Sequence, residues 1–141
     1  MSQIQGIDAL QARLKRSGQT LTSDASAALL DAGAAVVATA KFMVPKETGH
    51  LAASIVCSQV KPTRKGNLMV EITAGDETTL VEGRVKFQLA KIIEFGTVNR
   101  PPQPFLRPAI KLNSRKNRNA IRKAMRNAIK VANGTNTTAG T

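Results

Sequence analysis

The sequence predicts an α+β domain, with long N- and C-terminal helices packed on a small antiparallel β-sheet. Three observations lead there. An alanine-rich run before Met43 repeats apolar residues at helical spacing. The stretch from Ser54 to Ala74 alternates around a polar turn, and a basic run after Pro108 returns to helical spacing. At 141 residues the chain is long enough to bury one core. The expected boundaries are a single domain over 1–134 and a polar C-terminal tail over 135–141.

Taken in order, Ile7, Leu10 and Leu14 mark one face of a short helix. Ser17-Gly18 should interrupt it, and a capping signal at Thr20 to Asp24 should open the longer helix. Leu21, Ala25, Ala28, Leu29, Ala32, Val36 and Ala40 form its stripe, small enough for another element to approach closely. Pro45 ends the helix. Pro45, Thr48, Gly49 and Leu51 are expected to build a structural corner, with Gly49 supplying a positive φ. Beyond it, Ile55, Cys57 and Gln59 alternate with Val56, Ser58 and Val60, Pro62 to Asn67 turns the chain, and Leu68, Val70 and Ile72 share one face of a returning strand. Gly75 to Thr79 reads as a polar connection. The next segment supports either period; the preferred reading is an irregular, partly extended Glu82–Phe87, then a short helical or extended Leu89–Phe95. From Pro108 to Val131, Ile121, Ala124, Met125, Ala128, Ile129 and Ala132 make the stripe of the last helix, closed by Asn133-Gly134.

The net charge of +12 is unevenly spread. Residues 1–44 carry +1, residues 45–100 carry +2, and residues 101–141 carry +9 with no acid at all. Arg115, Lys116, Arg118, Arg122, Lys123, Arg126 and Lys130 therefore make a face for a polyanion or an acidic neighbour. With no Trp, no Tyr and four Phe, the core must be largely aliphatic. The one cysteine, Cys57, excludes an internal disulfide and is expected as a small hydrophobe on a strand. No basic-then-apolar leader and no uninterrupted apolar run of ~20 residues occurs, so neither classical export nor a membrane partner is expected.

An enzyme is not expected either. There is no Cys/His metal cluster, no phosphate-cradling glycine loop and no evident pair of carboxylates. His50 stands beside a turn without a relay partner. No catalytic residue, cofactor or metal ligand is assigned. Glu94, between Ile93 and Phe95, is the one acid in an apolar setting. A buried acid must be paired or hydrogen-bonded, so Glu94 is expected to anchor a nearby Arg or backbone amide.

Leu89 to Ile110 holds four of the six prolines and two of the four phenylalanines. Proline biases the residue before it towards extended geometry, so Arg100 to Pro104 should be a stiff extended arm. The arm would present Phe105 and Leu106 before Pro108 enters the last helix, one of them to bury against another element or another subunit. An exposed rigid arm with apolar tips predicts a docking device. Glu94, Phe95, Gly96, Thr97, Arg100, Pro101, Pro102, Pro104, Phe105, Leu106 and Arg107 are its candidate subunit or partner interface.

Two motifs carry a family resemblance: I-I-E-F-G-T followed by P-Q-P-F-L-R-P-A, and V-P-K-E-T-G-H-L-A-A-S-I at Val44 to Ile55. With them the chain, from about Ile7 to Ala132, resembles the tail-completion, or head–tail joining, proteins of long-tailed bacteriophages and prophages. Where that family often has aromatics before Glu-Phe-Gly-Thr, this chain has Leu89, Lys91 and Ile92. The resemblance implies a structural subunit of a ring, usually sixfold, in the phage neck. Its implied partners are further copies of itself, the tail tube protein and the head's portal and adaptor complex; the basic residues add a mixed reading, a ring subunit that contacts passing DNA non-specifically. It would be assembled in the host bacterial cytoplasm and reside in the virion. The alternative reading is a basic nucleic-acid-binding protein acting through its C-terminal helix. Against that alternative stand the scarcity of aromatic stacking residues and the lack of a reading motif.

Overall fold

In the computed structural model, which describes residues 6–46, 49–83 and 86–134, two long helices pack on each other and the chain between them forms short antiparallel ladders. The chain runs α1 (Ile7–Met43), α2 (His50–Ala53), β1 (Val56–Cys57), β2 (Lys61–Pro62), β3 (Leu68–Met69) and β4 (Ile72–Thr73). A 3-10 turn (Glu77–Thr79), β5 (Leu80–Val81), β6 (Phe87–Gln88), α3 (Leu89–Phe95) and α4 (Leu106–Gly134) follow. The fold is mixed α+β and mostly helical, with the two long helices at the ends of the chain as predicted. Thr48 of the expected corner and the tail over 135–141 lie outside the described residues.

α1 does not break at Ser17-Gly18; it is one helix of 37 residues, about 55 Å long. The expected capping residues lie inside it. Thr20, Thr22 and Ser26 donate their hydroxyls to the carbonyls of Arg16, Gly18 and Thr22, four residues back. That bond satisfies each hydroxyl without opening the helix. An exposed glycine inside a helix costs only ~1 kcal/mol, too little to end one held elsewhere by packing. The C-terminus falls where Pro45 demands it: Val44 is extended, and its N–H closes on the Ala40 carbonyl. By length and composition alone α1 could cross a membrane. Its C-terminal half, however, commits Val36 and Ala40 to the core.

The expected hairpin is present with an irregularity in its ladder. Cys57 pairs with Ile72 and Lys61 with Met69, all antiparallel. Three residues on the first strand thus face two on the second, which is the arithmetic of a β-bulge. Ser58 fills the gap: its N–H donates to the Glu71 carbonyl, and its hydroxyl accepts from the Glu71 N–H. A further short ladder joins β5 to β6 in the linking segment, and α3 settles Leu89–Phe95 as helical.

The second motif explains the turn into this hairpin. Gly49 has φ +71° and starts the short α2, an element not among those predicted. Leu51 and Ile55 point into the core, while buried Ser54 donates to the Leu51 carbonyl and accepts from the Gly75 N–H. One hydroxyl thus ties the corner to the far end of the hairpin. Val36, Ala40, Val44, Leu51, Ile55, Ala90, Ile93, Phe105 and Ala109 form the main core. It is aliphatic apart from Phe105. α1 reaches β1 closely at Gly33, where a Cβ would stand 2.5 Å from Cys57 Sγ. α4 runs antiparallel to α1: Asn113 donates to Thr39 Oγ1 and Asn117, one turn on, to the Ala32 carbonyl.

Candidate assembly site

The segment from Glu94 to Arg107 is held by a carboxylate. Helix α4 opens with N–H groups that have no partner inside the helix. Glu94 Oε2 accepts from the N–H groups of Phe105 (2.8 Å) and Leu106 (2.9 Å), and Oε1 from that of Arg107 (3.0 Å). The next residue is Pro108, which has no N–H to satisfy. The anchoring role expected of Glu94 is therefore filled by backbone amides, in a side chain only 8% exposed. Burial alone would raise its pKa. The amides of Leu106, Phe105 and Arg107, with the Arg107 charge, outweigh burial and hold the carboxyl below its ordinary value. A negative charge here also suits the helix dipole.

Gly96 makes the return possible. It closes α3 with its N–H on the Ile92 carbonyl and takes φ +72°. A Cβ at this position would meet Pro102 N at 2.7 Å and Arg100 O at 2.8 Å. Thr97 and Arg100 then exchange backbone hydrogen bonds, making a tight turn with Val98 at its fully exposed tip. The Gln103 N–H donates to the Ile93 carbonyl. Arg100 to Pro104 is non-helical and exposed as expected, but it runs back along α3 pinned at both ends.

This geometry selects between the two expected fates of the arm tip, burial against another element or against another subunit, and corrects its docking role. Phe105 is 1% exposed and belongs to the chain's own core, so it is not a free docking side chain. The reason is the Glu94 cap, which pulls Phe105 inward as it fixes the start of α4. Leu106 is half-buried against the same core. What the segment leaves outside is Phe95, Thr97, Arg100, Pro101, Pro102, Pro104 and Arg107. Phe95 is 59% exposed, with the Arg107 guanidinium 4.9 Å from its ring centroid. An apolar cleft of about 180 Å³, lined by Ala74, Ala90, Phe95 and Leu106 among others, opens beside it.

Lys91 and Arg107 help to line this cleft, whereas the basic residues of the expected polyanion face lie further along α4. Arg115, Lys116, Arg118, Arg122, Lys123, Arg126 and Lys130 are all exposed on α4. Its opposite side, through Ala109, Asn113, Asn117, Ile121, Ala124 and Ala128, is buried or half-buried. The inward amides Asn113 and Asn117 were missed in the sequence; their spacing of four on the apolar face was the available signal. Of the corner residues, Leu51 is buried and Pro45 half-buried, while Gly49 is exposed. His50 is exposed, and no cluster of metal-ligating groups occurs among the described residues.

A family model described as "Bacteriophage HK97-gp10, putative tail-component" matches residues 8–96. The chain belongs to this HK97-gp10-like family of phage tail components. The match agrees with the resemblance carried by the two motifs but is narrower: it ends at Gly96, before the proline-rich return and α4. No curated protein and no solved structure matches the chain significantly.

Proposed function

We propose that the chain is a structural subunit of the ring that completes the phage tail and joins it to the head connector, and that it performs no chemistry. The observation carrying this reading is membership of the tail-component family over residues 8–96. Surface character supports it. On α1, Ile7, Leu10 and Leu14 expose an apolar edge at helical spacing, Leu14 being 65% exposed. Phe95 and Val98 expose a second apolar spot at the other end of the molecule. Two different apolar surfaces on one subunit suit head-to-tail contacts, which close into a ring when the rotation between copies is right. The ring is taken as sixfold, with the tail tube on one side and the portal and adaptor complex on the other.

Removal of the gene from a phage that carries it tests the proposal. Full heads and separate tails should accumulate in the lysate, and supplied protein should restore infectious particles. Normal joined particles, or a block before tails form, would refute the joining role.

A further inference from the structure

We infer that the outer face of α4 is a binding site for the phosphates of duplex DNA, one that grips the backbone without reading sequence. α4 contains no acid along 29 residues. Its solvent side sets Arg115, Arg118, Arg122, Arg126 and Lys130 in one line, three or four residues apart. At 1.5 Å per residue that line spans about 22 Å, and duplex DNA presents a charge every ~1.7 Å of its axis. Arg122, Lys123, Arg126 and Lys130, with the amides of Asn119 and Asn127, line a shallow groove of about 400 Å³. Every side chain in that groove is a hydrogen-bond donor to anionic oxygen, and two can grip phosphate bidentately.

A merely solvated face would mix both signs of charge. An interface for an acidic protein would need an apolar or aromatic anchor at its centre. The groove has neither: its lining is Arg, Lys and Asn throughout. Single-strand binding would call for aromatic stacking, and α4 carries no aromatic residue. Packing against α1 leaves the basic side free, alongside exposed Leu112, Ile129 and Val131, so phosphates are in reach of its Arg and Lys side chains. This site does not depend on the ring reading, and DNA binding can fail while joining survives.

The experiment is fluorescence anisotropy with the full chain and two unrelated 20-bp duplexes, titrated across salt. About four or five phosphate contacts predict a log–log slope near −4, alike for both duplexes within roughly threefold. Arg122→Gln with Arg126→Gln should flatten the slope by about 2. Glutamine matches arginine in helix propensity, so folding should be retained, which a melting curve checks. Arg64→Gln with Lys65→Gln, on the hairpin turn, should leave the slope unchanged. Three results would overturn the inference: equal flattening by both pairs, a thousandfold preference for one duplex, or tighter binding to polyglutamate than to DNA.

Discussion

The two ends of the α1–α4 pair are built differently. At one end, Val36, Ala40, Ile55, Ile93 and Phe105 pack into a core sealed by buried Glu94 and Ser54, each with its hydrogen-bond partners in place. At the other, Ile7, Leu10 and Leu14 of α1 and Ile129 and Val131 of α4 stay largely exposed. Small residues line the helices between, with Ala128 buried there apart from the main core. The difference teaches where stability and association reside. Changes at the sealed end should unfold the protein, whereas changes at the open end should leave it folded and spoil assembly.

The largest effect should come from Phe105, which with Ile55 is the largest fully buried side chain among the described residues. Phe105→Ala removes a ring from a closed core and should cost about 3–5 kcal/mol. For a domain of this size that is a fall of roughly 10–20 °C in melting temperature. A joining defect in that variant would therefore report lost folding, not a lost contact. If the melting temperature moved by less than about 2 °C, the placement of Phe105 in the core would be wrong.

Glu94 comes next, and its signature is pH dependence. Its folded pKa lies below the ordinary value of 4.5. The stabilisation is therefore complete above about pH 4.5 and disappears as pH falls through the folded pKa. Glu94→Gln loses the charge but keeps the shape, and should cost about 2 kcal/mol near neutrality. Urea unfolding of both proteins at several pH values should show that gap closing in acid. A gap independent of pH would mean that the carboxylate's charge contributes nothing to the cap.

The same contrast shows what could be read in the sequence. The long helices, the hairpin and the anchoring of Glu94 were legible because periodicity and burial of a lone acid are local signals. The direction of Phe105 was not: it depends on a carboxylate eleven residues earlier, reached only after Gly96 reverses the chain. Proline spacing kept Arg100–Pro104 out of a helix but carried no information on which way its end would point. The unbroken α1 was missed for a related reason, since Ser17-Gly18 and the threonines after it read as a stop unless their hydroxyls bond four residues back.

The smallest effect on stability is expected at the open end. Leu10 and Leu14 are 55% and 65% exposed, so Leu10→Ser with Leu14→Ser removes little buried area. Away from buried contacts such changes usually alter stability by no more than ~0.5 kcal/mol each. In a ring the arithmetic changes, because a leucine fully buried at a contact contributes roughly 1.5–3 kcal/mol and the contact recurs at every subunit. The double variant should therefore unfold in urea much as the wild type does, yet leave isolated tail tubes without a terminal ring in electron micrographs. Rings of normal occupancy from this variant would remove the α1 edge from the assembly surface and turn attention to Phe95 and Val98. A large loss of stability would instead show that the open end is closed within the monomer, and the division between the two ends would fail.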